Sequence, residues 1–257
     1  MKHKEMRKPR AITRVEVLVV IATLLTGLLA VSALLLPALA KAKSKASRIS
    51  CLNNLKEIGT AYRLWAGDNG DLVPPQQTVK NGGWADFLTN ANQGALCWTN
   101  YAIMQNELGQ STKLVICPED ERQAATDFTN DFKTNTHVSY FVGVNANDRY
   151  PQSILGGDRN LGPGPKPDPD YGFSPKSGKG NDVTIPLTGA SSALSWSLKM
   201  HTAEAHRGAG NILLGDGSAQ PTSSGAFTRN WLPNAAGTNN WPAGHIPATP
   251  SIRLVFP

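Results

Sequence analysis

The sequence predicts an α+β protein: one long N-terminal α-helix packed by its second half on a small antiparallel β-sheet head. Three observations predict it. Residues 17–36 form an uncharged apolar run of twenty residues, the segment behind it carries an apolar stripe at helical spacing, and short strand-like runs separated by Gly- and Pro-containing segments fill the rest.

The apolar run comes first. Between Val17 and Leu36 only Thr23, Thr26 and Ser32 are polar. As a helix this stretch is about 30 Å long, the thickness of a bilayer's hydrocarbon core. A secretory signal is the rival reading, because "ALA" at 38–40 resembles a signal-peptidase site, but signal regions usually hold only about 7–15 apolar residues. Charge surrounds this run. The net charge of +6 resolves into +4 on residues 1–11, +4 on residues 41–48 and −2 on residues 49–257. The basic groups therefore flank the apolar run, and the body carries no basic surface of the kind that nucleic acid requires. Lys/Arg counting gives five in residues 1–11 and four in residues 41–48, so it does not orient the span. The cysteines and the Trp- and Gly-rich loops all lie after the run and favour an exported C-terminal part.

Pro37 is expected to kink the helix, which then continues to about Ala66. Leu55, Ile58, Tyr62 and Trp65 fall within an arc of about 80°, while Asn53, Glu57, Thr60 and Arg63 lie outside it. One face of residues 38–66 therefore packs on a partner surface, and Gly67 or Gly70 supplies the left-handed cap.

In the head, "KLVIC" (113–117), "HVSYFVGV" (137–144), "SALSWSL" (192–198), "NILLGDGSAQ" (211–220) and "IRLVF" (252–256) read as strands, with Asp216-Gly217 as a hairpin turn. Residues 156–182 read as a Gly/Pro-rich surface loop. Cys51, Cys97 and Cys117 allow at most one intramolecular bridge; the pairing is left open, as is the alternative of three buried thiols.

No catalytic constellation emerges. His201 and His206 are five apart, not the four of a zinc helix motif, and read as surface or loop histidines. "SGKGND" lacks the ending of a phosphate loop, and "GASSALS" lacks the nucleophile elbow. "AGDNGD" and "KPDPDYG" do not match calcium-loop spacing. Six tryptophans suit core and interface use better than a carbohydrate platform.

Two charges, Arg14 and Glu16, stand at the mouth of the apolar run. A carboxylate at mid-membrane costs on the order of 2.5–3.5 kcal/mol, less near the interface, and is a functional hypothesis when a partner can be named. Arg14 is two residues away and does not face it on a helix. At these residues the sequence resembles a known family. "RAITRVEVLVVIATLLTGLLAVSALLLPALAKAK" is similar to the N-terminus of type IV pilins and type II secretion pseudopilins, and the likeness continues more softly in "LVICPED", "SYFVGVNA", "GDRN" and "HRGAGNILLGDGS". Ala11 stands where the family favours Gly, and Arg14 where it commonly has Leu.

The resemblance implies a structural subunit of a secretion or pilus filament, not an enzyme. Residues 1–11 would be a basic leader, 12–66 the helix with its span at 17–36, and 67–257 the extracytoplasmic head. A prepilin peptidase would cut between Ala11 and Ile12, and Ile12 would become the N-methylated terminus. Glu16 would pair with that freed ammonium on the adjoining subunit during assembly. Partners would be the peptidase, other pilin-like subunits and inner-membrane lipid, with the N-terminus cytoplasmic, the head periplasmic or extracellular, and no nucleic acid. No cofactor is expected; relatives hold calcium in the head, but no residue here is assigned to it. An exported or anchored binding module or hydrolase with a signal-like N-terminus is the alternative.

Overall fold

The structure is a computed structural model that describes residues 13–89, 96–146, 148–166, 168–187, 193–203, 207–235 and 251–257. The chain divides into two compact units, residues 1–45 and 46–257.

Helix α1 runs from Arg14 to Asp68, passing through Pro37. It is long and apolar enough to cross a membrane, and its most apolar window has no buried residue. Thr23, Thr26 and Ser32 each donate their hydroxyl to a carbonyl three or four residues back, so the polar groups of this stretch are satisfied within the helix. That arrangement fits a single-pass span or a signal segment.

In the second unit, the 3.6-residue period shows directly in burial. Cys51, Leu55, Ile58, Tyr62 and Trp65 are buried, whereas Asn53, Glu57, Thr60 and Arg63 are exposed. The helix ends two residues beyond Ala66. Gly67 remains helical, and the left-handed residues are Gly70 and Asp71, with Asp71 N donating back to Ala66 O.

The strands are β1 (Tyr140–Gly143), β2 (Ile154–Asp158), β3 (Leu161–Pro163), β4 (Asn181–Pro186), β5 (Leu194–Trp196), β6 (His201–Ala203), β7 (Arg207–Leu214), β8 (Ala219–Ser223) and β9 (Ser251–Phe256). They form a seven-stranded sheet, ordered β4-β9-β1-β2-β7-β6 with β8 also on β7, and a two-stranded sheet β3-β5. Every pairing is antiparallel. The α+β layout is the one the sequence predicts, a long N-terminal helix packed on an antiparallel sheet head, here with seven strands in the larger sheet. The turn at Asp216-Gly217 joins β7 to β8 as predicted, and β9 falls on the predicted run.

Side chains alternate between two cores, as strand geometry requires. Tyr140, Val142, Leu213 and Val255 pack in the core shared with Cys51, Leu55, Ile58, Tyr62 and Trp65. Phe141, Ile212, Leu214, Ile252, Leu254 and Phe256 face the other way, onto Trp196, Phe227 and Leu161. Both faces of the large sheet are therefore covered, which explains the near-continuous apolar runs of β7 and β9. A short helix α2 (Cys97–Ile103) is tied to α1 by Asn100, which donates to Tyr62 Oη (2.5 Å) and accepts from Trp84 Nε1 (3.3 Å).

Three expectations need correction. "KLVIC" is not a strand: Thr112–Val115 is a 3₁₀ turn, held by Thr112 Oγ1 donating to Ala125 O and by Ser139 N donating to Val115 O. A run of four apolar residues cannot by its period be told from a buried helical turn. In residues 137–144 only Tyr140–Gly143 is strand. Residues 156–182 are not one surface loop. They hold the end of β2, all of β3 and the start of β4, and Asp158, Arg159, Asn160 and Leu161 are buried. Gly157 makes room rather than a turn: a Cβ there would lie 2.7 Å from Asn211 O and 2.8 Å from the Phe141 ring.

α1 comes close to the sheet at Gly59, where a Cβ would lie 2.6 Å from Gly217 O in the β7-β8 turn. Glycine to alanine inside a helix ordinarily stabilises by about 1 kcal/mol. At Gly59 the sign reverses, and Gly59→Ala is expected to destabilise by about 1–3 kcal/mol because backbone must shift. Gly67, with nothing within 4 Å of its added Cβ, keeps the ordinary sign. Thermal melts of the two variants in parallel check this; a stabilised Gly59→Ala would show that α1 does not seat there.

Candidate functional site

Two places carry polar groups that packing alone does not explain. The first is the start of α1. Thr13 N and Thr13 Oγ1 both donate to Glu16 Oε2, at 2.8 and 3.0 Å, and Glu16 N donates to Thr13 Oγ1 at 3.3 Å. This is a reciprocal capping box: the residue before the helix and the third residue within it satisfy each other's orphan groups. Glu16 also lies in the first turn, where the helix dipole favours a negative charge. Among the described residues no ion pair joins it to Arg14. Glu16 therefore has a partner within its own chain, where the sequence pointed first to a neighbouring one. Ala11 and Ile12, the predicted cleavage and methylation positions, lie outside the described residues.

The cysteines resolve into one bridge and one thiol. Cys51 on α1 and Cys117 form a disulfide. Asn54 Nδ2, one turn along α1 from Cys51, donates to Ile116 O at 2.9 Å, so bond and hydrogen bond act on the same junction. Cys97 is buried at the start of α2, its thiol directed at Val255 O (3.4 Å). Burial pushes that thiol well above its ordinary value, which keeps it protonated and unreactive.

The second place is a buried polar cluster beside the disulfide. One edge of β7 is shared: β2 pairs with Ile212–Leu214 and β6 with Arg207–Ala209, while β8 takes the opposite edge. Asn211 sits at the gap between β2 and β6. Its backbone N–H donates to Asp158 Oδ2 at 2.6 Å, and its Nδ2 donates to the same oxygen at 3.0 Å. A side-chain carboxylate thus completes the ladder where no strand does. His201, the first residue of β6, brings Nε2 to 3.4 Å from Asp158 Oδ2, 3.4 Å from Asn211 Nδ2 and 3.4 Å from Cys117 Sγ. Burial pushes Asp158 up to about 7, and burial with the Arg48 charge pulls His201 down to about 4. At neutral pH the imidazole is uncharged, so their contact is a polar one and not an ion pair. Arg48, half-buried on α1, donates to Gly210 O (3.2 Å) and holds its charge near both.

The expectation that His201 is a surface histidine is therefore corrected: it is buried, because β6 continues the ladder along β7 and turns it inward. His206 lies outside the described residues. Among the described tryptophans, Trp65, Trp84 and Trp196 are buried in the core, and Trp98 and Trp231 pack against it half-buried.

A second buried ionic group holds loops to the sheet. Arg159 grips Asp120 with two nitrogens, at 2.7 and 2.8 Å, and lies 3.4 Å over the Tyr171 ring. Arg122 donates to Asn135 O, Val138 O, Pro175 O and Pro257 O. Burial raises the Asp120 carboxyl, but the Arg159 fork and the Arg122 charge outweigh it and hold the group below its usual value. A depressed carboxylate stabilises the fold fully above its unfolded value, about 3.9, and loses that contribution as pH falls through the lower folded value. Asp120→Asn keeps an acceptor but loses the charge, so about 1–2 kcal/mol is expected to go at pH 6 and little at strongly acid pH. Denaturant midpoints of both proteins at pH 6 and near pH 2 test it; a gap that stays constant would sink the assignment.

A cleft of about 170 Å³ lies at the end of α1, lined by residues that include Tyr62, Arg63, Asp71, Asp148 and Leu155. It is smaller than the roughly 300–1,000 Å³ of small-molecule pockets. No family model matches the sequence, and neither a curated protein nor a solved structure matches the chain.

Proposed function

We propose that the chain is a structural, pilin-like subunit of a type II secretion or type IV pilus-like filament. It is cut by a prepilin peptidase between Ala11 and Ile12, N-methylated at Ile12, and held in the inner membrane by α1 until assembly. Its N-terminus is cytoplasmic and its head lies outside. The observation that carries this reading is the start of α1: an acidic residue stands at the entrance of an uncharged run whose side chains have no protein cover, ahead of an α+β head. Lipid, and then neighbouring copies of the same run, are the covers that chemistry offers.

Glu16 then does two things in succession. Before assembly it caps its own helix through Thr13, which lowers the cost of bringing a carboxylate near lipid. During assembly it takes the ammonium freed at Ile12 of the adjoining subunit, and an unpaired partner in low dielectric is penalised. The head contributes shape and contacts and performs no chemistry.

Intact mass and N-terminal sequencing of the membrane-fraction protein test the reading. A terminus at Ile12, with or without a methyl group, is expected. A terminus at Lys41 would make the apolar run a signal, and an uncut Met1 would leave a plain anchor; either overturns the filament assignment.

A further inference from the structure

We propose that the buried junction of α1 and the sheet is a zinc-class metal site when the Cys51–Cys117 bond is reduced, with Cys51, Cys117, His201 and Asp158 as its four ligands. The cation then replaces the disulfide as the staple of the head.

The geometry argues for it first. Donor atoms of Cys51, Cys117 and His201 all lie within 4.8 Å of one another, and all three residues are buried. His201 Nε2 is 3.4 Å from Cys117 Sγ and 3.4 Å from Asp158 Oδ2. Around a tetrahedral zinc with bonds of about 2.0–2.3 Å, neighbouring ligand atoms stand about 3.3–3.8 Å apart. The nitrogen thus already sits at ligand spacing from two of the others. Once the sulfur–sulfur bond is broken, the two thiolates part to the same spacing.

The polar groups around the site argue for it independently. Asp158 is fully buried, yet its Oδ1 has no hydrogen-bond partner, and the same holds for Asn211 Oδ1. Buried acceptors left without donors are costly and mark a place that a cation or donor would complete. Asn211 Nδ2 and Asp158 Oδ2 each lie 3.4 Å from His201 Nε2, and metal binding takes the tautomer in which Nε2 carries the lone pair. Asn211 also holds Asp158 Oδ2 through two donors, the outer support that metal-binding carboxylates use. Two thiolates and one carboxylate around a divalent cation leave one negative charge, and Arg48 stands close enough to act on both Asp158 and His201. Two sulfurs, an imidazole and a carboxylate in four-coordinate array select zinc over calcium or magnesium.

The conversion balances. A dithiol reductant gives two electrons and two protons to the Cys51–Cys117 bond and closes to its own disulfide. The cation then displaces both thiol protons to solvent as two sulfur–metal bonds form. The ligands come from α1, the segment after the 3₁₀ turn, β2 and β6, so the metal joins the same elements as the bond it replaces.

Cobalt(II) is the probe, added to the full chain in detergent after reduction with a phosphine. One equivalent is expected to bind, with a thiolate-to-cobalt charge-transfer band and the visible bands of tetrahedral cobalt, both lost when zinc is added. The oxidised chain gives neither. Cys97→Ala leaves the spectrum unchanged, whereas His201→Gln and Asp158→Asn each weaken binding at least about tenfold. If reduction alone abolishes the head's thermal transition, zinc is expected to restore it. Absence of the thiolate band overturns the site whether or not the reduced head stays folded. So does a band that survives both substitutions at full strength, since that would show two thiols binding metal without a built site.

Discussion

Replacing Cys51 and Cys117 together by alanine is expected to cost the head about 4 kcal/mol, the largest stability loss of any change considered. The bridge spans a sequence separation of 66. In the chain-entropy account, a closed loop of that size removes about 4 kcal/mol of freedom from the unfolded chain. For a unit of about 200 residues, each kcal/mol moves the melting temperature by about 2–4 °C, so a fall of roughly 10–15 °C is expected. The bond also ties the amphipathic half of α1 to the segment after Thr112–Val115, beside the Asn54 contact with Ile116. Without it, the tie from α1 to that segment passes to the Asn54 hydrogen bond on Ile116 O and the packing of Val115. Thermal melts of the oxidised full chain and the double variant measure the effect. Equal melting points would mean that packing alone seats the helix, and would leave the bridge without a role in stability.

How far the sequence discloses this molecule depends on the distance over which each signal acts. The stripe Leu55, Ile58, Tyr62, Trp65 was legible because a helix repeats within four residues, and its burial follows from that repeat. Asp216-Gly217 was legible because a hairpin turn is local chemistry. The segment 156–182 was not. Its glycines and prolines look like turn formers, yet Gly157 is there to admit Phe141 and Asn211 from other strands. The buried cluster was still less visible. Asp158, His201 and Asn211 meet only because β2 and β6 share one edge of β7 and leave a gap between them, a fact of sheet order that no spacing encodes. The cysteine pairing is of the same kind: three cysteines bound the count of bridges, and only the packing of α1 selects Cys51 with Cys117. The helix start is a different case. A threonine followed three residues later by glutamate, ahead of an apolar run, is a local capping signal, and the two residues bond to each other as that signal specifies.

Because Glu16 has both an intramolecular and an intermolecular role in the proposed function, substitutions that separate charge from capping decide between them. Glu16→Gln keeps an oxygen that can accept from Thr13 and removes the charge; Glu16→Val removes both. Thr13→Val removes the hydroxyl that shares the cap and leaves the carboxylate in place. Loss of the cap alone costs about 1 kcal/mol, a several-fold effect on the order of the first turn. Loss of one partner from a charge pair in low dielectric costs about 3–5 kcal/mol, more than a hundredfold in an association constant. We therefore expect Glu16→Gln and Glu16→Val to reduce crosslinks between subunits in the membrane alike and by at least tenfold, with membrane insertion unchanged. Thr13→Val is expected to reduce them only a few-fold. If Glu16→Gln assembles like the unaltered chain while Thr13→Val and Glu16→Val fail together, the acid serves its own helix and no other. The span at the start of α1 would then need a different reason to associate, and the small residues Ala22, Gly27 and Ala30 within it would have to supply the contact through close backbone approach.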